Sequence, residues 1–85
     1  MHPLITAITP LPNYQLKAKF LTGESRLYDA SRLPKIWPVF EDLIAIPGLF
    51  ELVRVDAKGH AIVWNENLDL ASEEIWDNGR PIATA

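Results

Sequence analysis

Hydrophobic and polar positions alternate early in this chain and fall at helical spacing in its middle. Tyr14, Leu16, Ala18 and Phe20 alternate with Gln15, Lys17 and Lys19, the period-2 signature of a strand with one wet face. A short apolar, β-branched run at residues 4–8 precedes it. Pro10-Leu-Pro12-Asn13 stops that run, which reads as an edge or opening strand. After Phe20 the chain reverses at Thr22-Gly23, where glycine supplies the positive φ of a tight hairpin. A two-residue loop would pair Leu21 with Glu24, Ala18 with Leu27 and Lys19 with Arg26. That register gathers apolar residues on one face and sends Lys17, Lys19, Arg26 and Tyr28 to the other.

The period changes next. Over residues 35–46, Ile36, Val39, Phe40, Leu43 and Ile46 recur at helical spacing, with Glu41 and Asp42 opposite. Pro38 fits only a first turn, so the helix is expected to begin between Pro34 and Trp37 and to end at Pro47-Gly48. A second hairpin comes after it: a strand over residues 50–56, a type I turn Asp56-Ala-Lys-Gly59 with glycine left-handed, and a return strand from His60 to Trp64. Asn65-Glu-Asn-Leu-Asp-Leu70 reads as a polar turn. Ser72 is the expected N-cap of a short final helix whose first turn holds Glu73 and Glu74, and Asn78-Gly79 is its stop signal. The expected fold class is α+β: a mainly antiparallel sheet of two hairpins plus an opening strand, one main helix packed on one face, and a short C-terminal helix.

Length sharpens this picture. Eighty-five residues, 48% of them hydrophobic, make one domain, expected over residues 1–79 with 80–85 as a frayed tail. Cysteine is absent, which removes disulfides and thiolate metal sites. No apolar run approaches the ~20 residues of a membrane span, and the N-terminus lacks the pattern of a signal peptide. A cytoplasmic location without membrane contact is the expectation. The net charge of −3 divides unevenly, about +3 over residues 1–40 and −6 over residues 41–85.

Candidate chemistry is sparse. Lys17, Lys19, Arg26 and Tyr28 would form a small cationic patch for an acidic partner or a nucleic-acid backbone, or simply a solvated sheet face that prevents edge association. Three tryptophans are many for so small a domain: Trp64 is expected in the core, and Trp37, beside a helix start, is the best interface candidate. Asp69 is either an acid in a pocket or a carboxylate accepting turn or cap N–H groups. Glu73, Glu74 and Asp77 read as a solvated helix face. His2 and His60 have no companions at metal-ligand spacing. No phosphate loop or nucleophile elbow is present. No catalytic, cofactor or metal residues are expected, and no small-molecule substrate is suggested.

Several residues carry a family resemblance. Asn13-Tyr14, Leu16, Ala18, Phe20 and Gly23 early, then Val63-Trp64, Asp69-Leu70, Ser72, Glu74 and Trp76, resemble the pattern of a bacterial family catalogued as domain of unknown function 2442. The match covers most of residues 4–79. The resemblance implies a small β-sheet with one main helix, similar to the N-terminal domain of some helix-turn-helix proteins, although no DNA-reading helix pair is found in these 85 residues. It also implies occurrence beside small toxin-like genes, and it brings no catalytic residues. Together these readings point to a non-catalytic interaction module, self-associating or paired with a small cognate protein, an antitoxin-like role being one concrete version. The alternative is a DNA-associated regulator using the weak basic sheet face.

Overall fold

The computed structural model describes residues 3–82. The fold is α+β, as the patterns imply, but its strands form two antiparallel sheets rather than one. The first sheet has the order β1-β2-β3-β7, from Ile5–Leu11 (β1), Gln15–Phe20 (β2), Ser25–Asp29 (β3) and Arg80–Ile82 (β7). The second has the order β4-β5-β6, from Arg54–Val55 (β4), Ala61–Asn65 (β5) and Leu68–Ala71 (β6). Strand β1 continues through Pro10 because it sits at a sheet edge, where a missing N–H is tolerated.

The sheets meet at Gly59. Its carbonyl accepts the Ile5 N–H at 2.9 Å, and an added Cβ would lie 2.7 Å from the Ile5 oxygen. Gly59 is left-handed (φ +77°), as the turn reading requires. Asp56 completes the turn by accepting N–H bonds from Lys58 and His60.

The first hairpin departs from expectation by one residue. Phe20 donates to the Glu24 carbonyl, so the loop is Leu21-Thr22-Gly23, a three-residue closure with Gly23 at φ +93°. Ala18 therefore pairs with Arg26, Leu16 with Tyr28, and Lys19 with Ser25. A one-residue slip exchanges faces. Arg26 and Tyr28 turn inward with Leu16, Ala18 and Phe20, while Lys17 and Lys19 stay outside.

The expected main helix over residues 35–46 is also broken. Short helices α1 (Leu33–Ile36) and α2 (Asp42–Ala45) flank a 3₁₀ turn at Pro38–Glu41. Trp37 and Ile46 are extended, and each precedes a proline, whose ring disfavours the α conformation in the residue before it. Phe50–Leu52 is a 3₁₀ turn rather than strand, and the expected polar turn contains β6. There Asn65 Oδ1 accepts N–H bonds from Asn67 and Leu68, so the carboxamide rather than Asp69 builds the reversal.

Helix α3 (Ser72–Asn78) packs against β3 and β6, and its Trp76 reaches Phe20 of β2. Ala71, not Ser72, occupies the N-cap position. Ser72 is one residue inside, buried, its hydroxyl without a hydrogen-bond partner among the described residues. Arg80–Ile82 are not frayed: they pair with Ser25–Asp29 as β7. The rest of the expected tail, residues 83–85, and His2 lie outside the described residues. Phe20, Phe40 and Trp64 are all buried. Phe20 meets Trp76 edge-on at 5.0 Å, and Phe40 meets Trp64 at 5.9 Å. The Trp64 indole donates to the Phe50 carbonyl at 3.2 Å, satisfying the one polar atom of that buried side chain. No described helix is long and apolar enough to cross a membrane.

Candidate functional site

The five candidate surface residues do not form one patch. Tyr28 is fully buried, and its hydroxyl donates to Glu74 Oε2 at 2.8 Å. Burial in the core, and then the bond to Glu74 and that carboxylate's charge, raise its pKa well above the ordinary phenol range, with Arg32 opposing. Arg32 also donates to Glu74 at 3.5 Å. Glu74 is thus held by the buried Tyr28 hydroxyl and the partly exposed Arg32 rather than belonging to a solvated acidic face.

Arg26 is equally committed. Its side chain is 16% exposed and forms an ion pair with Glu24. Its guanidinium lies 4.1 Å from the centre of the Trp76 ring and donates to the Trp76 carbonyl at 2.7 Å. These contacts fasten β3 to α3.

Lys17 and Lys19 remain on the outer face of the first sheet, and the register brings a third cation there. Lys17 pairs with Leu27, which pairs with Arg80 on β7, and cross-strand partners share a face. The sequence patterns missed Arg80 because a three-residue strand after Asn78-Gly79 has too little periodicity to announce itself.

Trp37 is 43% exposed. It has company. Ile36, Val39, Ile44 and Ile46 of the broken helical segment and Leu52 of the following 3₁₀ turn are exposed too, while Leu33, Phe40, Leu43 and Leu49 of the same stretch fill the core. Scattered single apolar residues need no explanation, but six within 17 residues do.

A groove of about 330 Å³ lies between this segment and β6, lined by Trp37, Val39, Phe40, Asp69, Leu70 and Glu74. Trp37 meets Phe40 at 6.2 Å, so the exposed indole rests on a buried ring. Asp69 sits on the exposed side of β6, between buried Leu68 and Leu70. Order β4-β5-β6 makes β6 a sheet edge, so the groove runs beside it. A second groove, beyond α2, brings Ile44 and Ile46 together with Glu51.

Asp69 and Glu74 share the first groove, while Asp56 is occupied in its own turn. Desolvation acts to raise the Asp56 pKa, but the backbone N–H groups of His60, Lys58, Gly59 and Ala61 together outweigh it and lower the value. Among the described residues no three His, Asp or Glu side chains gather as metal ligands would. Chemically the groove offers an aromatic face, an aliphatic wall and a carboxylate.

No curated protein and no solved structure matches this chain. The family described as "Protein of unknown function (DUF2442)" matches residues 5–81, nearly the whole chain, and the pattern of Gly23, Trp64 and Asp69 falls inside that span. The chain belongs to the DUF2442 family.

Proposed function

We propose that this protein is a non-catalytic interaction module that works by burying its Trp37 surface against another protein chain. The observation that supports this reading is the apolar exposure of the broken helical segment, with Trp37 beside Val39 at the mouth of a groove. Trp is the side chain most enriched where binding energy concentrates. An antitoxin-like role beside a small cognate protein is one concrete version, and self-association is another.

The test is affinity purification of the tagged protein from its native host, paired with light scattering. A small protein recovered stoichiometrically by wild type and lost with Trp37→Ser supports the reading. A concentration-dependent dimer lost with Trp37→Ser supports the self-associating version. A strict monomer at high concentration that recovers nothing overturns it.

One observation favours a second reading. Arg80 joins Lys17 and Lys19 on the outer sheet face, replacing the one cation that the inward turn of Arg26 removes. A DNA-associated role there predicts salt-sensitive binding weakened about equally on all sequences by Lys19→Glu. No shift of any DNA at low salt removes it.

A further inference from the structure

The surface that carries the interaction reading also has a sign. Residues 35–52 carry three anions, Glu41, Asp42 and Glu51, against one cation, the exposed Lys35 at the start of the segment. Glu41 and Asp42 are exposed beside Val39 and Ile44. Across the groove stands Asp69, also exposed. The ion pairs found among the described residues, Arg26 with Glu24 and Arg32 with Glu74, do not involve it.

We infer that the groove between Trp37 and β6 docks a basic, apolar-bearing segment of a different protein chain. This rests on the interaction reading above and specifies the chemistry of its partner. A two-fold pairing of this face with a second copy would bring Glu41, Asp42 and Asp69 against the same acidic surface, and like-charge juxtaposition across an interface is strongly unfavourable. A cationic segment reverses that sign. Its lysine or arginine stacks on the open face of the Trp37 indole and pairs with Asp69, while a neighbouring apolar side chain meets Val39 and Leu70. Strand β6 supplies the geometry: at a sheet edge an extended segment can add by main-chain hydrogen bonds, directing alternate side chains into the groove. The cations of this chain's own first sheet lie on a different surface, so self-association through charge would be head-to-tail.

The experiment is a ¹⁵N–¹H NMR titration of the full chain with the peptide acetyl-Lys-Val-Arg-Leu-Lys-amide and its charge-reversed counterpart acetyl-Glu-Val-Asp-Leu-Glu-amide. The basic peptide is expected to shift the Trp37 indole N–H and the amides of Leu68–Ala71. Asp69→Lys should weaken it about tenfold, as expected for reversing a charge that pairs across an interface. Both residues are exposed, so Trp37→Ser and Asp69→Lys keep the dispersed spectrum of the folded chain. Equal shifts from both peptides, shifts away from the groove, or no shift at all overturn the inference. Its failure is separable from that of the interaction reading. If native partner capture is lost with Trp37→Ser but is indifferent to Asp69→Lys, only the basic chemistry is wrong. A Trp37-dependent two-fold homodimer would likewise sink the choice of partner and leave the interaction reading standing.

Discussion

Replacing Arg26 by alanine separates an inward arginine from a surface one. A solvated arginine on a sheet face changes stability by no more than about 0.5 kcal/mol. Here the guanidinium pairs with Glu24, donates to the Trp76 carbonyl at 2.7 Å and lies 4.1 Å over the Trp76 ring, with its side chain 16% exposed. Losing the charged hydrogen bond costs about 1.5–3 kcal/mol. Losing the stacked cation adds about 0.5–2 kcal/mol. Glu24 is also left with no cation against a carboxylate oxygen that solvent does not reach. The expected loss is about 3 kcal/mol, against a total of roughly 5–12 kcal/mol for a domain of this size. The variant should still fold, with a melting temperature lower by about 12–24 °C. Urea titrations followed by tryptophan fluorescence measure this directly, with Lys19→Ala as the exposed comparison on the neighbouring strand. Arg26→Met, which retains the stem over Trp76, should fall between the two. Equal midpoints for Arg26→Ala and Lys19→Ala would refute both the one-residue shift of the hairpin and the inward face built on it.

Gly79→Ala should destabilise by about 1–3 kcal/mol, because its Cβ would lie 2.6 Å from the Ile75 oxygen and 3.3 Å from the Leu27 oxygen where α3 turns into β7. Thermal unfolding that leaves the variant at the wild-type midpoint would refute that close approach. Tyr28 supplies a pH dependence: folding raises its pKa, through burial and then Glu74, so its contribution is full below the unfolded phenol's pKa of ~10 and is lost as pH rises beyond it. Tyr28→Phe should flatten the alkaline limb of a stability–pH profile, and a limb of unchanged steepness would count against the buried hydroxyl.

The strands were legible wherever one face is wet. Leu16, Ala18 and Phe20 lie in the core as their alternation requires, and Gly23 and Gly59 turn the chain left-handed at the expected places. Register was the weak point, because one extra loop residue leaves the composition of both strands unchanged while exchanging the faces of Arg26 and Tyr28. Strand β6 was hidden by its own sequence: Leu68-Asp-Leu-Ala71 is too short for a period to stand out beside Asn65-Glu-Asn67, whose turn chemistry is real but stops two residues earlier than the polar run suggests. The site shows the same division. Trp37 could be picked out by residue type and position, whereas the pairing of its groove with Asp69 depends on β6 and could not.

The middle segment explains why an exposed apolar ridge exists at all. A continuous helix would have aimed Ile36, Val39, Phe40, Leu43 and Ile46 together at the sheets. Only Phe40 and Leu43 arrive there, because Trp37 and Ile46, each preceding a proline, leave the helical conformation and redirect the chain beyond them. The hydrophobic fraction of 48% is ordinary, so the exposed ridge does not come from a surplus of apolar residues. It comes from two backbone restrictions that withdraw Ile36, Val39 and Ile46 from a core completed by Leu33, Leu49 and Phe50 instead. The same breaks leave Glu41 and Asp42 beside the ridge, which ties its apolar character and its negative charge to one structural cause.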